Sequence, residues 1–462
     1  MKIPKSWILS RLGDVCTEPQ YGYTTRAKAQ GNIKLLRTTD ITSGKINWDD
    51  VPYCEEDPSD INKYLLHDND VVISRAGSVG YNYRIINPHK AVFASYLIRF
   101  KPLINPSYLD YFLMSDLYWS HIKEKSIGIA LANVNASKLK EILFPLPPLE
   151  EQKRISKKIE ELFAQVDEGI KRLKEIQEQI KQYRQAVLRD AFTGKLTKTW
   201  RKDRKISNTD LEKYTNGTTE LSIDLPTDWI LSTVYKISEK IHYGYTASSS
   251  KKQTNTKLLR ITDIQDNTVD WVTVPYCTID SDDLKKYQLK KGDLVFARTG
   301  ATVGKSFLIE GTIPQAVFAS YLIRIIPKND FVPKYIYMFF QSELYWSQIR
   351  KGQKGIGQPN VNAQILGQLN IPITNKDEQL EILKEIDKEF SVANAVDASL
   401  EVSFKEAERL KQSILKAAFE GKLVPQDPND EPVEKLLERI RAEKQFQRMV
   451  PSTRIKSKRK QL

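Results

Sequence analysis

The chain has 462 residues and a formal net charge of +13. It is too long for a single hydrophobic core and suits two units of about 225 residues each. Its three cysteines, Cys16, Cys54 and Cys277, have no paired spacing, so the sequence indicates neither a disulfide framework nor a zinc site. No apolar run is long enough for a signal peptide or a membrane span, and we therefore expect a cytoplasmic protein without membrane contact.

Most of the positive charge lies in two short stretches. Residues 193–206 and residues 451–462 each carry a net charge of +5. A solvated linker and tail would explain this pattern as well as nucleic-acid binding does. The charge alone is therefore only a mild argument for DNA.

The first stretch, residues 1–149, is predicted to be a mixed α and β domain, called here the first globular domain. Short runs rich in Val, Ile, Tyr and Phe alternate with turn residues, and one predicted strand, residues 70–75, leads into a glycine turn at Gly77. Aromatic, basic and amide side chains in its predicted loops suit base edges and phosphates. An equal alternative is tyrosine packing at the rim of the domain. The candidates are Tyr21, Tyr23, Thr24, Arg26, Lys28, Arg75 and Asn133.

A long helix is predicted for residues 150–194. Prolines at 145, 147 and 148 end the globular sequence, and apolar residues then recur at steps of three or four. Such a narrow stripe needs a partner helix. Its expected core positions are Ile155, Ile159, Leu162, Val166, Ile170, Leu173, Ile176 and Ile180.

After a polar linker at 195–225, the whole pattern is repeated. The segment Phe-Ala-Ser-Tyr-Leu-Ile-Arg at 93–99 returns at 318–324, and Tyr-Gly-Tyr-Thr at 21–24 returns at 243–246. Residues 226–376 are therefore the second globular domain. Its candidate DNA contacts, open to the same alternative, are Tyr243, Tyr245, Thr246, Lys251, Lys252, Arg298, Gln353, Lys354, Gln358 and Asn360.

A second long helix is predicted for residues 377–423, followed by a charged tail at 424–462. Its expected core positions are Ile382, Ile386, Phe390, Val396, Leu400, Leu410 and Ile414. The two helices are the nearest partners for each other. An antiparallel pair would relate the two globular domains by a pseudo-twofold axis, and a helix of about 43 residues would span roughly 65 Å.

Two near-miss motifs raise the alternative of an enzyme. Residues 300–306 resemble a phosphate-binding loop, but only three residues separate the glycines where that loop has four. Asn105-Pro106-Ser107-Tyr108 resembles the signature of amino-methyltransferases but lacks one proline, and a helix start explains it better. A stand-alone nucleotide- or S-adenosylmethionine-dependent DNA enzyme thus remains an alternative, as does a helical scaffold whose domains bind protein. No catalytic centre and no metal site are predicted.

The chain resembles the specificity subunits of type I restriction-modification systems. The resemblance covers almost the whole sequence and is strongest at residues 145–155, in their weaker echo at 371–382, and at 418–425. It implies a non-catalytic subunit whose two target recognition domains each read half of a bipartite site in double-stranded DNA. It further implies that two methyltransferase subunits and the motor-nuclease subunits are partners, and that these hold the S-adenosylmethionine, ATP and Mg.

The expected fold is therefore α+β, with two target recognition domains separated by a pair of long antiparallel helices in a pseudo-twofold repeat. This chain is expected to hold no cofactor. Because both copies carry the same loop motifs and a pseudo-twofold axis inverts one relative to the other, we expect the two half-sites to be partly inverted repeats.

Overall fold

The computed structural model describes residues 3–126, 133–204, 209–215, 223–265, 267–299, 303–352 and 361–449. The chain divides into two compact units. The first unit contains Met1–Leu173 and Val402–Leu462, and the second contains Lys174–Glu401. Each unit therefore consists of one globular domain with one half of each long helix.

The first globular domain is built from short strands and helices around two small four-stranded sheets. One sheet has the order β2-β9-β6-β7, the other β3-β5-β4-β8, and β1 pairs with β10. Strands β4 and β8 run parallel, and the other strand pairs described in these sheets are antiparallel. The strands are β1 Ile8–Arg11, β2 Gln20–Tyr21, β3 Ala27–Lys28, β4 Lys34–Leu36, β5 Tyr53–Cys54, β6 Val71–Ser74, β7 Asn82–Arg84, β8 Ala91–Phe93, β9 Leu97–Phe100 and β10 Leu143–Leu146. The helices are α1 Leu12–Val15, α2 Thr38–Ile41, α3 Ile61–Tyr64, α4 Pro106–Leu113, α5 Asp116–Ser126, α6 Ala136–Lys140 and the long α7 Leu149–Phe192.

The second globular domain repeats this arrangement. Its sheets have the orders β12-β20-β17-β18 and β16-β13-β19, with β11 paired to β21 and β14 to β15. The strands are β11 Ile230–Thr233, β12 Ser238–Tyr243, β13 Thr256–Leu259, β14 Ile264–Gln265, β15 Thr268–Val269, β16 Tyr276–Cys277, β17 Leu294–Ala297, β18 Ser306–Leu308, β19 Ala316–Phe318, β20 Leu322–Pro327 and β21 Asn370–Ile373. The helices in the second half of the chain are α8 Lys198–Lys202, α9 Val234–Ile237, α10 Ser281–Tyr287, α11 Pro333–Phe340, α12 Glu343–Gly352, α13 Ala363–Gln368, α14 Lys376–Phe419 and α15 Val433–Met449, with 3-10 helices at Thr209–Tyr214 and Ile261–Asp263. Of these, α15 belongs to the first unit.

The same buried hydrogen bonds recur in both copies. In the first unit, the indole Nε1 of Trp7 donates to Glu151 at 3.0 Å, and in the second Trp229 donates to Glu378 at 3.0 Å. These bonds join the start of each globular domain to the long helix that follows it. Two further repeats, Pro-x-x-Trp at 4–7 and 226–229 and Glu-Gln at 151–152 and 378–379, therefore form the two sides of one contact.

The two long helices pack together in antiparallel orientation within each unit. In the first unit Lys411 of α14 lies 2.6 Å from Asp167 of α7. In the second unit Arg184 of α7 lies 2.7 Å from Asp397 of α14. The predicted helix pair is thus confirmed.

The predicted core stripe of the helix pair needs two corrections. Ile176 and Leu410 are exposed, at 38% and 51%. A stripe assigned at regular steps of three and four drifts around a helix of 3.6 residues per turn, so some of its members leave the contact face. Of the other predicted positions, Ile155, Ile159, Ile382, Ile386, Leu400 and Ile414 are buried, and Leu162, Val166, Ile170, Leu173, Ile180, Phe390 and Val396 are half-buried. Phe163, Leu188, Leu383 and Leu415 are also buried and were not predicted.

A glycine follows the end of each long helix, and each helix begins one residue before its predicted range and ends two to four residues before the end of that range. Gly194 and Gly421 both have φ of +70°. In this left-handed conformation the amide of Lys195 donates to Asp190 O at 2.9 Å, and that of Lys422 to Ala417 O at 2.9 Å. A Cβ on Gly421 would lie 2.2 Å from Pro4 Cγ, so the end of α14 packs directly on the start of the first globular domain.

The linker and the tail contribute apolar side chains to the hydrophobic cores of the two units. In the linker, Leu211 and Tyr214 are buried in the core of the second unit. In the tail, Val433, Leu436 and Ile440 of α15 are buried in the core of the first unit. Both segments are mainly polar, and their few apolar side chains form no clear periodic pattern. The sequence therefore indicated a linker and a charged tail.

Candidate nucleic-acid interface

A close backbone contact fixes the Tyr-Gly-Tyr-Thr segment in each globular domain. The amide of Tyr23 donates to Phe93 O at 2.7 Å, and the amide of Tyr245 donates to Phe318 O at 2.7 Å. A Cβ on Gly22 would lie 2.2 Å from Ala94 O, and one on Gly244 would lie 2.2 Å from Ala319 O. No side chain fits there, so glycine lets this segment lie against the turn that follows β8 or β19.

In the first globular domain this contact places a tyrosine under an arginine. The Arg75 guanidinium lies 5.1 Å from the ring centre of Tyr21. The Tyr21 hydroxyl accepts a hydrogen bond from the amide of Ala136 at 3.0 Å, which fixes the ring. Asn133 joins the same place through a β-bridge to Ala76. Three residues predicted from separate loops, Tyr21, Arg75 and Asn133, therefore form one group, which we call the first tyrosine–arginine cluster.

The second globular domain has the same group. Arg298 lies 4.8 Å from the ring centre of Tyr243, whose hydroxyl accepts from the amide of Ala363 at 3.1 Å. The amide of Val361 donates to Arg298 O at 3.0 Å, as that of Val134 does to Arg75 O. Tyr243 and Arg298 form the second tyrosine–arginine cluster. The predicted residues Gln353, Lys354, Gln358 and Asn360, together with Gly300 of the near-miss loop, lie outside the described residues.

Both arginines keep hydrogen-bonding capacity. Nε of Arg75 and Nε of Arg298 are buried and have no partner among the residues that the structure describes, and the same holds for Oδ1 of Asn133. A guanidinium held over a tyrosine ring presents its remaining N–H groups in a fixed plane. That plane suits the O6 and N7 atoms of guanine or two phosphate oxygens.

The other predicted contacts lie around these clusters. Tyr23 packs against Tyr64 with ring centres 5.3 Å apart, and Tyr245 against Tyr287 at 5.4 Å. Lys28 lies in β3, where its ammonium donates to Glu55 O at 3.1 Å. The remaining predicted side chains are exposed: Thr24, Arg26, Thr246, Lys251 and Lys252. Tyr23 and Tyr245 thus combine packing with their position beside the clusters, whereas the exposed residues are available to a ligand.

The sequence did not single out two further tyrosines. Tyr96 and Tyr321 are 63% and 65% exposed, although the neighbouring Phe and Leu residues of the repeated Phe-Ala-Ser-Tyr-Leu-Ile-Arg segment are buried. Their carbonyls accept from the amides of Arg75 at 2.9 Å and Arg298 at 3.3 Å, which places each tyrosine beside a cluster. The signal was present, because an aromatic residue at a turn between two buried strands recurs in both copies.

A cavity adjoins the long helices in each unit. The first has a volume of about 370 Å³ and is lined by Asp116, Leu117, Gln412, Lys416 and Phe419, among others. The second has a volume of about 470 Å³ and is lined by Lys181, Gln185, Arg189, Glu343 and Leu344, among others. The two lie at equivalent positions of the repeat, at the start of α5 and of α12.

Comparison with protein families decides the assignment. The family profile of the type I restriction modification DNA specificity domain matches residues 4–182 and 226–397. The chain belongs to this family. The two matched stretches cover the two globular domains. The resemblance to specificity subunits that was inferred from the sequence motifs is therefore confirmed.

Individual specificity subunits are similar over most of their length. The EcoKI specificity subunit of Escherichia coli strain K12 is 26% identical over 472 residues, which covers 96% of both chains. The EcoBI specificity subunit of Escherichia coli is 28% identical over 71% of this chain and 70% of its own. The archaeal MjaVIII specificity subunit of Methanocaldococcus jannaschii is 22% identical over 78% of this chain and 80% of its own.

The fold of this family has been seen before. A solved structure, described as the structural basis of complex assembly and conformational transition of the type I R-M system, contains a chain that superposes with a TM-score of 0.65 at 19% identity. The match covers 91% of this chain and 100% of that chain. Together with the family match, this confirms two α+β domains separated by paired long helices.

Among the residues that the structure describes, no helix is long and apolar enough to cross a membrane. Nor does any group of three or more His, Cys, Asp or Glu side chains there have the arrangement of a metal site.

Proposed function

We propose that this chain is the DNA-recognition subunit of a type I restriction-modification complex in the cytoplasm and that each globular domain reads one half of a bipartite site. The observation that carries the proposal is the pair of tyrosine–arginine clusters. Each family-matched stretch has one, with the same aromatic stack and the same backbone hydrogen bonds. Two equivalent arginines, each stacked on a tyrosine, suit a ligand with two similar parts, and bipartite double-stranded DNA is such a ligand.

The paired helices would set the distance between the two half-sites. Each long helix begins in one unit and ends in the other, since α7 crosses the division at Leu173 and α14 at Glu401. Helix length is fixed at about 1.5 Å per residue. The spacer between half-sites should therefore follow the length of the helices.

Two copies of one partner would dock on the repeat. The cavities at the starts of α5 and α12 offer each copy an equivalent surface. Two methyltransferase subunits are the partners that the family resemblance implies, with motor-nuclease subunits added for restriction. S-adenosylmethionine, ATP and Mg would then be held by these partners, and this chain would contribute recognition without catalysis.

The proposal can be tested in the host organism. Deleting the gene should abolish N6-methyladenine at one bipartite motif, mapped across the genome, and restoring the gene should return it. A tagged copy of the chain should purify with an adenine methyltransferase in a ratio of one to two. An unchanged methylation map would overturn the proposal. Purification with proteins unrelated to DNA modification would favour the scaffold alternative.

A further inference from the structure

The second unit contains a basic cavity near the start of β12. Its volume is about 610 Å³, and four lysines line it: Lys213, Lys236, Lys240 and Lys328. Among the described residues that line it, Glu239 is the one carboxylate, and Tyr214 and Tyr235 also contribute to the surface. Positive charge therefore dominates this cavity.

Local contacts hold part of the cavity in place. Lys213 lies 3.3 Å from Asp330, and the Tyr214 hydroxyl donates to the same carboxylate at 2.5 Å. The ammonium groups of Lys213 and Lys328 lie 5.0 and 5.1 Å from the ring centre of Tyr214. Lys240 is exposed. Tyr214 thus holds the ammonium groups of Lys213 and Lys328 in place, while Lys240 extends into solvent from the beginning of strand β12.

The first unit has the opposite charges at the equivalent positions. The equivalence is fixed by the backbone, because the amide of Leu103 donates to Val15 O at 2.8 Å and that of Lys328 to Ile237 O at 2.9 Å. With this register, Asp14 and Glu18 stand where the second unit has Lys236 and Lys240. Two carboxylates in one copy are two ammonium groups in the other.

The space is also filled differently in the two copies. In the first unit Lys140 pairs with Glu18 at 3.0 Å, and Lys444 of α15 donates to Gly13 O at 2.5 Å. A Cβ on Gly13 would lie 2.9 Å from Lys140 Cβ. In the first unit, two lysines therefore balance the two carboxylates here, and Lys140 packs against Gly13.

In the second unit the large and the small residue of this contact have changed places. Gly367 occupies the place of Lys140, and Tyr235 occupies the place of Gly13. A Cβ on Gly367 would be 3.5 Å from Tyr235 Cβ. Tyr235 itself is 73% exposed. Gly367 lines a neighbouring cavity of about 480 Å³, and Tyr235 and Ile241 line both that cavity and the lysine-lined one.

The cavity lies on the same strand as the second tyrosine–arginine cluster. Lys240 precedes Tyr243 by three residues of β12, about 10 Å along the strand, and therefore points to the opposite face, whereas Ile241, which also lines the cavity, shares the face of Tyr243. Along one DNA strand, phosphates follow each other every 3.4 Å or so of helix axis, so about three phosphates cover that distance.

We propose that this lysine cavity binds the phosphodiester backbone of DNA beside the second half-site, and that the first globular domain has no equivalent contact. The inference rests on the proposed function. Lysine ammonium groups act as point charges for phosphate, and the shared strand connects the cavity with the base-reading cluster. An acidic segment of a partner protein is the other ligand of matching charge, and the experiment distinguishes it.

The test replaces both lysines by the residues of the first unit, Lys236→Asp with Lys240→Glu, in the complex purified through a tag on this chain. A milder pair, Lys236→Gln with Lys240→Gln, guards against misfolding. The control is Lys290→Glu with Lys291→Glu, two exposed lysines that do not line the cavity. Binding is measured from low to high salt on a duplex carrying the mapped site and on a scrambled duplex.

We expect each of the two double variants to weaken binding. For a given variant, the loss of affinity should be the same on the mapped duplex and on the scrambled duplex. We also expect the slope of log K against log salt concentration to become shallower by about 1.8, because each lost phosphate contact removes about 0.9. The control should keep the slope. Unchanged binding, a loss confined to the mapped site, or intact DNA binding with loss of a partner subunit would each overturn the inference. A wild-type complex that does not prefer the mapped site would instead contradict the proposed function.

Discussion

The Arg75 guanidinium lies 5.1 Å from the ring centre of Tyr21, and its Nε has no partner among the described residues. We expect Arg75→Gln to weaken binding of the mapped site by about 1–3 kcal/mol, the usual range for one good arginine contact to a base. Arg298→Gln should have a similar effect. Competition binding on duplexes with single substitutions should show that Arg75→Gln relaxes specificity in one half-site and Arg298→Gln in the other.

The control for these variants is Arg11→Gln, an exposed arginine of the first unit that is paired with Glu141 at 3.4 Å. It should leave binding unchanged. If both cluster variants weakened binding equally on all sequences, the arginines would contact phosphate instead of bases.

The repeated loops predict the form of the target. Because Tyr21 and Tyr243 occupy equivalent places under equivalent arginines, the two half-sites should share bases when one is read as the inverted complement of the other. Genome-wide mapping of N6-methyladenine in the host gives both half-sites directly. Two half-sites without any related bases would contradict this prediction.

Lengthening both helices should widen the spacer. Insertion of seven residues after Leu173 and seven after Glu401 leaves each compact unit intact, because the chain divides at these points. Seven helical residues add about 10 Å, which corresponds to up to about 3 base pairs. The mapped motif should keep its half-sites and gain spacer bases. The same insertion after Gln426, in the exit from α14, should leave the spacer unchanged.

Glu378 should be critical for the stability of the second unit. Its side chain is fully buried and accepts from Trp229 at 3.0 Å, from Thr374 at 2.6 Å and from Arg201 at 2.7 Å. Glu378→Ala would leave the Arg201 charge largely buried without its partner, a loss of about 3–5 kcal/mol. Urea unfolding should show a lower midpoint for the second unit. Glu401→Ala, at an exposed position of the same helix, should have an effect below about 0.5 kcal/mol.

His242 should make the second unit sensitive to acid. Burial, with Lys240 and Arg324 nearby, lowers the pKa of His242 to about 4. An unfolded histidine has a pKa of about 6.5, so the unfolded chain takes up a proton between pH 6.5 and 4 that the folded chain resists. The stabilisation is complete above pH 6.5 and is lost as the pH falls to 4.

The loss should be about 1–2 kcal/mol after allowance for partial exposure of the ring. His242→Gln takes the residue of the first copy, Gln20, and should remove this part of the pH dependence. Thermal unfolding at pH 7 and pH 4.5 gives the comparison. Equal pH dependence in the two proteins would show that His242 does not control it.

Much of the architecture could be predicted from the sequence, because the spacing of apolar residues and the recurrence of whole segments indicate the long helices and the two domains. Steps of three and four residues predicted α7 and α14, and the return of whole segments predicted two copies of one domain. The stripe was less reliable in detail, since Ile176 and Leu410 lie off the contact face. A repeat of three and four residues does not determine where a straight helix of 3.6 residues per turn meets its partner.

The candidate site was predictable only in parts. Tyr21, Arg75 and Asn133 were named from separate loops, but their grouping depends on strands far apart in sequence, β2, β6 and β9. Tyr96 and Tyr321 were overlooked because identity between copies does not distinguish a buried residue from an exposed one.

The sequence by itself determined that the chain holds two copies of one globular domain, each followed by a long helix, because repeated segments and a hydrophobic period can be recognised without knowing which segments meet. Only the tertiary structure decided which side chains meet. The stack of Arg75 on Tyr21 and the exchange of Gly13 and Lys140 for Tyr235 and Gly367 both arise between segments distant in sequence. The close packing of those segments fixes which side chains fit and which charges remain exposed.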